Sequence, residues 1–377
     1  MAVEHTIYPE YVDRIFPKLQ NIIDKENGKR KKPITYLYQE YLKNTYSPDG
    51  SWEAGSVNST RVAADIIALD SPLPIKSRPT VEYANGKLPK LGMALPMKES
   101  ELKAVDLMIA RGEKWAKIAA KIAADAVACE NGVKEINEYN FLYALNHGYV
   151  VIPDTEKANL GLRFNFKYLA RNHVGVADTS VGYTLDDLQK AIDTASNDGN
   201  TITQVWLSLQ RYNALRATDG AKQMWADYNK IPLTNYSKVG VPTKSAFNEA
   251  AKDRYGVDFV VIDRLTYFEK NGVKTKKRPW DDNRIVYLTG DKAGSFVYSD
   301  TTESKHKVDG VKYTEVDNYM LISKFAKTNP LREMTGVQAE ALPVIEDVDM
   351  LYLTDITVAY TDRAAEGSEH WEDELAI

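Results

Sequence analysis

The chain has 377 residues, 44% of them hydrophobic and 27% charged, with a mean hydropathy of -0.42. That composition excludes disordered and fibrous classes and gives enough apolar material for two to three domains or one large elaborated fold. Forty-eight cations against 53 anions leave a net charge of -5, which argues against a surface that binds nucleic acid all over.

No apolar run approaches the ~20 residues of a membrane span. The N-terminal run MAVEHTIYPEYVDRIF carries acids where a secretory peptide is basic, so synthesis in a cytoplasm is expected and no membrane partner is. The single cysteine, Cys129, removes intrachain disulfides and cysteine-rich zinc sites from consideration. Tyrosine dominates the aromatics, 23 against nine phenylalanines and six tryptophans, a habit that suits protein–protein surfaces.

Val12, Ile15, Phe16, Leu19, Ile22 and Ile23 fall at helical spacing with Pro17 interrupting, which predicts an amphipathic N-terminal arm. The cluster Lys29 to Lys32 that follows reads as a solvated loop. A short helix is predicted from Ile34 to Leu42, then a turn-rich stretch from Tyr46 to Ser59.

Residues 70–92 hold Pro72, Pro74, Pro79 and Pro89, which exclude helix, and Asn85-Gly86 is a type I′ hairpin signal. The prediction is a long two-stranded arm from Ile66 to Lys98 that turns at Asn85-Gly86. Each limb could reach ~50 Å at about 3.3 Å per residue. Such a ribbon is marginal alone in water, so it must lie on something, on its own body or, where that body is too small, on a neighbouring subunit. Between Asp70 and Lys98 five cations (Lys76, Arg78, Lys87, Lys90, Lys98) face two anions (Asp70, Glu82), a net of +3 that leaves -8 for the remainder of the chain.

Ser100 opens a predicted helix that continues past Gly112 to Ala126 and breaks at Asn131-Gly132. A further helix from Val133 ends at His147-Gly148, with His147 as a C-terminal cation, before a strand at Tyr149 to Ile152. Thr184 with Asp187 forms a capping box for a helix that Asn197 to Gly199 closes. A strand from Ile202 to Leu207, helices capped by Ser208 and Ser245, a strand from Val257 to Ile262 and a hairpin at Asn271-Gly272 follow. Later strands are predicted near Arg284 to Leu288, Ser295 to Tyr298, Tyr319 to Phe325, Ala341 to Ile345 and Met350 to Val358, then an acidic tail. This mixture of α and β lacks the regular βαβ rhythm of a nucleotide-binding sheet.

Chemistry is missing from every testable motif. There is no phosphate-binding G-x-x-x-x-G-K-[ST], no G-x-S-x-G and no H-E-x-x-H, and the five histidines stand apart. Asp281-Asp282 is the best acidic pair, but adjacent residues on an extended segment point to opposite faces. Cys129 reads as packing. No catalytic residue, cofactor or metal is therefore assigned, and a hydrolase using Asp281 or Asp282 ranks last.

The run from Arg61 to Asp65 through DSPLPIKSRPTVEYANGKLPKLGMALPMKESELKA resembles the major capsid protein E family, lambda type, of tailed double-stranded-DNA bacteriophages. Asn131-Gly132-Val133 and the helix to Gly148 are similar to the family's spine helix. Gly161 to Phe166 is similar to the strand that follows, Leu185 to Leu215 to its axial helix-strand-helix, and Glu340 to Val344 with Asp349 to Asp355 to its closing strands. The resemblance covers roughly Ser59 to Ile356.

It implies an α+β fold of the Hong Kong ninety-seven type. Its expected parts are an N-terminal arm (1–58), an extended loop (59–99), a peripheral domain with spine helix (100–181), an axial domain (182–318), peripheral closing strands (319–358) and an acidic tail (359–377). It further implies pentamers and hexamers of the same chain forming an icosahedral head around packaged DNA, without sequence-specific binding. Portal, scaffold or decoration proteins would be the other partners, and the virion the location. In that frame Lys76, Arg78, Tyr83, Asn85, Gly86, Lys87 and Lys90 mark the intersubunit loop. An encapsulin-like compartment holding an enzyme cargo is the alternative.

Overall fold

The computed structural model describes residues 5–28, 35–57, 81–152, 162–169, 172–231, 240–270 and 272–360. The chain divides into two compact units, each assembled from separated segments. Unit 1 takes residues 1–52, 86–141 and 295–344, and unit 2 takes 53–85, 142–294 and 345–377. The expected axial segment 182–318 thus spans a boundary at 294/295, and the expected closing strands span another at 344/345.

Unit 1 is organised on the 14-residue strand Arg332–Ile345. One edge pairs antiparallel with Met320–Lys327, and the other with Lys90–Lys98 from Arg332↔Lys98 to Glu340↔Lys90. Gly294–Ser299, Leu42–Tyr46 and Lys312–Val316 complete a six-stranded sheet. The 33-residue helix Trp115–His147 contributes its stretch up to Phe141 to this unit. Ile118, Ile122, Ala126, Cys129 and Val133 recur every three or four residues and are buried, as an amphipathic helix requires.

Beyond Cys129 buried polar residues join the apolar ones on this helix. Lys134 Nζ pairs with Asp317 Oδ2 at 2.7 Å and with Glu130, while Glu138 Oε2 accepts from the Tyr38 backbone N–H at 3.0 Å. Tyr36 Oη donates to Glu135 at 3.3 Å. The carboxylates on the helix therefore hold the segment around Tyr36 and Tyr38 in place. Removing one partner of such a buried pair strands a charge.

Three sequence expectations are corrected in unit 1. The long helix does not break at Asn131-Gly132. Asn131 Nδ2 bonds back to the Val127 carbonyl at 2.8 Å, and a Cβ at Gly132 would collide with the Met93 sulfur, so the glycine admits a neighbour rather than ending the helix. The real break is at Gly112, where φ is +67°, just past the end of the helix Glu99–Ala110. The third correction concerns the arm. Val81–Lys87 is a strand running through Asn85-Gly86, neither residue has the positive φ that a type I′ turn demands, and Lys90–Lys98 belongs to the six-stranded sheet.

Lys324, on Met320–Lys327, is 1% exposed, with Nζ donating to Thr335 Oγ1 at 2.9 Å and to the Ile122 carbonyl at 3.3 Å. Burial lowers its pKa from the usual 10.5, against the pull of Glu333 and Asp125. The folded protein binds this proton more weakly than the unfolded chain, so stability rises as pH climbs toward 10.5. Lys324→Met is expected to keep the fold and to remove that alkaline rise in melting temperature. Identical pH profiles for variant and wild type would contradict the assignment.

Unit 2 holds a five-stranded sheet ordered His173–Val176, Leu351–Ala359, Arg284–Leu288, Gln204–Ser208, Asp258–Ile262. Leu188, Ala191 and Ala195 of the helix Leu185–Asn197 share one core with Val205, Leu207, Tyr212, Phe247, Ile285, Tyr287 and Tyr352. Buried hydroxyls there are paired, as Tyr287 Oη with Tyr183 Oη at 3.0 Å and Thr354 Oγ1 at 2.9 Å.

Punctuation in this unit follows the sequence closely. Thr184 and Asp187 make the expected capping box, and Gly199 at φ +80° closes that helix. Ser208 caps Leu209–Ala217. The helix Lys244–Tyr255 is capped by Thr243 rather than Ser245, which shifts its expected start. Thr266–Lys270 and Val273–Lys277 form the expected hairpin, with Gly272 at φ +78°.

Candidate functional site

Ser51–Val57 and Val81–Lys87 pair as a two-stranded sheet of their own. The Leu88 N–H donates to the Gly50 carbonyl at 2.8 Å, so the start of one strand lies beside the end of the other and the pair is antiparallel. It is a ribbon whose connection, residues 58–80, lies outside the described residues, as do Lys76 and Arg78. Tyr83, Asn85, Gly86 and Lys87 all fall on its returning strand. Lys90 does not, since it pairs with Glu340 in the six-stranded sheet.

The base of the ribbon is built around Asp49. Its Oδ1 accepts from Ser47 Oγ at 2.9 Å and from the Ser51 N–H at 3.2 Å, and Oδ2 accepts from Ser51 Oγ at 2.6 Å. Those hydrogen bonds hold the carboxyl at about 2. Gly50 at φ +66° completes the turn. Lys87 Nζ donates to the Asp49 carbonyl at 3.2 Å while its side chain stays 75% exposed.

Trp52, which no local sequence pattern marks, anchors this base at 2% exposure. A Cβ on Gly86 would sit 2.9 Å from Trp52 Nε1 and 3.2 Å from Cε2. The glycine in Asn85-Gly86 is thus a site of close approach within a strand. An isolated glycine in a strand pattern was the available signal.

The residues tested for chemistry do not converge. Asp281 accepts from the Asn283 N–H at 2.9 Å, and the Asp282 carbonyl accepts from Arg211 Nε at 2.7 Å, so both positions belong to one turn. Burial pushes the Cys129 thiol up to about 12, which leaves no thiolate for nucleophilic attack near neutral pH. Among the described residues no group of histidine, cysteine and carboxylate side chains could hold a metal, and no helix is long and apolar enough to cross a membrane.

His147 is not the cation expected at its helix end. It stacks on Tyr143 with ring centroids 4.0 Å apart, and burial with Arg284 nearby lowers its pKa to about 4. The cation at that end is Arg284, whose Nη1 donates to the Asn146 carbonyl at 3.2 Å.

No protein-family model matches the chain, and no curated protein matches it. Among solved structures it is similar to one provisionally assigned as the capsid protein of a prophage from Escherichia coli CFT073, with a TM-score of 0.55 and 12% identity over 90% of this chain and 98% of that one. A phage-related protein from Bordetella bronchiseptica RB50 gives 0.47 at 10% identity, over 95% and 98% of the two chains. The mature capsid of bacteriophage PhiM1 gives 0.45 at 10% identity, over 87% and 89%. The chain has the α+β fold of phage capsid proteins, the Hong Kong ninety-seven type.

Proposed function

We propose that this chain is a major capsid protein, which assembles as pentamers and hexamers into the icosahedral head of a tailed phage around packaged double-stranded DNA. The observation that carries this reading is the ribbon Ser51–Val57 with Val81–Lys87, a two-stranded sheet of its own, which is marginal alone in water and would gain support from a neighbouring subunit. The shared fold supports it. Unit 1 corresponds in this reading to the peripheral domain with its spine helix, unit 2 apart from residues 53–85 to the axial domain, and residues 53–85 to part of the extended loop. The role is structural, the location is the virion, and portal, scaffold or decoration proteins join at the head. The resemblance of residues 59–356 to the lambda-type E family supports the same reading.

Charge gives the test. Lys87 is 75% exposed and Lys90 is exposed, both in a segment of net +3 on a chain of net -5. Each exposed pair across subunits contributes only ~0–1 kcal/mol, but closed rings repeat it many times. Lys87→Glu combined with Lys90→Glu is expected to lower particle yield severalfold, with subunit stability changed by about 0.5 kcal/mol or less. Unchanged yield, or a collapse in subunit melting, would show that this segment is not a charge-steered intersubunit clamp.

A further inference from the structure

The five-stranded sheet of unit 2 fixes where two oppositely charged segments leave the fold. Arg284–Leu288 lies antiparallel to both Leu351–Ala359 and Gln204–Ser208, and Gln204–Ser208 is parallel to Asp258–Ile262. Leu351–Ala359 and Asp258–Ile262 therefore run the same way. Their registers agree, because Leu353, Val286, Trp206 and Val260 are level across the sheet. The chain leaves both strands at the same end of the sheet, three strand spacings or about 14 Å apart across it, with Ala359 four residues further along its strand than Ile262.

Past Ile262 comes a basic hairpin. Residues 263–278 contain six cations and two acids, a net of +4. The two acids already face cations inside the segment, Glu269 with Lys274 at 3.8 Å and Asp263 with Arg278 at 3.3 Å. Tyr267 lies opposite Lys276 and Glu269 opposite Lys274, so one face of the hairpin presents Tyr267, Lys274 and Lys276 together. Tyr267 is 64% exposed, and every residue of Val273–Lys277 is exposed. An aromatic ring set among lysines, on a two-stranded sheet of its own, is a surface built for an anionic partner.

Past Ala359 comes the acid. Tyr360 is fixed by its N–H to the Val176 carbonyl at 3.0 Å, by Oη to Asp187 at 3.0 Å, and by Lys190 Nζ 3.8 Å from its ring centroid. Residues 361–377, outside the described residues, carry Asp362, Glu366, Glu369, Glu372, Asp373 and Glu374 against Arg363. A ten-residue chain spans about 17 Å on average, close to the separation of about 19 Å that the lateral spacing and the four-residue offset give the two strand ends. Tethering at such a distance raises the local concentration of one charge cluster around the other to about the millimolar range.

We propose that the acidic segment 361–377 docks on the Tyr267, Lys274 and Lys276 face of the hairpin in the same chain and masks it from nucleic acid. The mask goes beyond the shell-forming role and does not depend on it. Without the segment, the hairpin is a phosphate-binding surface whose affinity falls with salt.

The test is carbodiimide coupling in the full chain at low salt, followed by peptide mass spectrometry. Each coupling joins a lysine amine to a carboxylate as an amide, and the carbodiimide takes up the water lost. Amides between Glu366 to Glu374 and Lys274, Lys276 or Lys277 are expected, reduced about fivefold or more at 1 M salt, where screening shortens to about 3 Å. An equal mixture of nitrogen-15-labelled and unlabelled chains should give them within one isotopic chain. Exclusively mixed pairs would assign the contact to a neighbouring copy and overturn the proposal, as would coupling spread evenly over exposed lysines.

A second readout addresses masking. Deleting residues 361–377 is expected to tighten binding of a short DNA duplex about tenfold at low salt, and Lys274→Glu with Lys276→Glu should abolish that gain. Unchanged DNA binding on deletion would contradict the mask. Both measurements are read on the chain whether or not particles form, so they fail separately from the shell assignment.

Discussion

Between pH 6.5 and 4 the protein is expected to lose several kcal/mol of stability through two histidines of unit 2. Burial, the larger cause, and Arg284 lower His147 from 6.5 to about 4, while Asp281 and a hydrogen bond with the Tyr143 carbonyl pull the other way. Burial also lowers His173 to about 4, with Asp355 opposing and Arg284 adding to the effect. Both imidazoles are neutral in the folded protein at neutral pH. As pH falls the unfolded chain takes up these protons first, so the stability they contribute is complete above 6.5 and is lost progressively toward 4. At about 1.4 kcal/mol per pH unit each histidine contributes at most about 3.5 kcal/mol, a large part of the usual 5–15 kcal/mol for a domain. Thermal melts from pH 7 to 4.5 should show the decline, and His147→Gln with His173→Gln should flatten it. A flat wild-type profile, or the same decline in the double variant, would contradict the assignment.

Gly86→Val is expected to damage the ribbon at its base. The first added carbon meets the Trp52 indole at 2.9–3.3 Å, against a ring that is 2% exposed and has little room to retreat. Overpacking of this kind costs about 1–3 kcal/mol, and a β-branched side chain adds two more carbons at the crowded point. With the ribbon as the element offered to a neighbour in the proposed function, assembly should fall more steeply than subunit stability. Gly86→Ala should show a smaller effect in the same direction. Wild-type particle yield and melting temperature from Gly86→Val would show that the contact between Gly86 and Trp52 does not shape the ribbon.

What sequence could reveal divides along local and tertiary lines. The caps at Thr184 and Ser208, the left-handed glycines at Gly199 and Gly272 and the strand at Arg284–Leu288 were legible because each is set within a few residues. Asn85-Gly86 and Asn131-Gly132 misled because the same dipeptide that makes a turn also clears space, and the neighbours needing that space, Trp52 and Met93, are distant in sequence. His147 reads as a cation in the sequence for a similar reason, since Arg284, which supplies the charge that the helix end attracts, is distant in the chain. Of the residues expected on the intersubunit loop, Tyr83, Asn85, Gly86 and Lys87 share one strand of the ribbon. Lys90 parts from them because Lys90–Lys98 continues the long sheet as a partner of Arg332–Ile345. The fold class was legible only through the family resemblance, as neither composition nor periodicity distinguishes this arrangement from other α+β chains.

Electron microscopy of the purified chain over a range of protein concentrations, with sedimentation on the same samples, tests the central claim most directly. Closed shells of uniform size, or rings of five and six copies, should appear with a threshold in protein concentration. Monomers of 42.4 kDa at every concentration and salt, even with the other head proteins present, would contradict it.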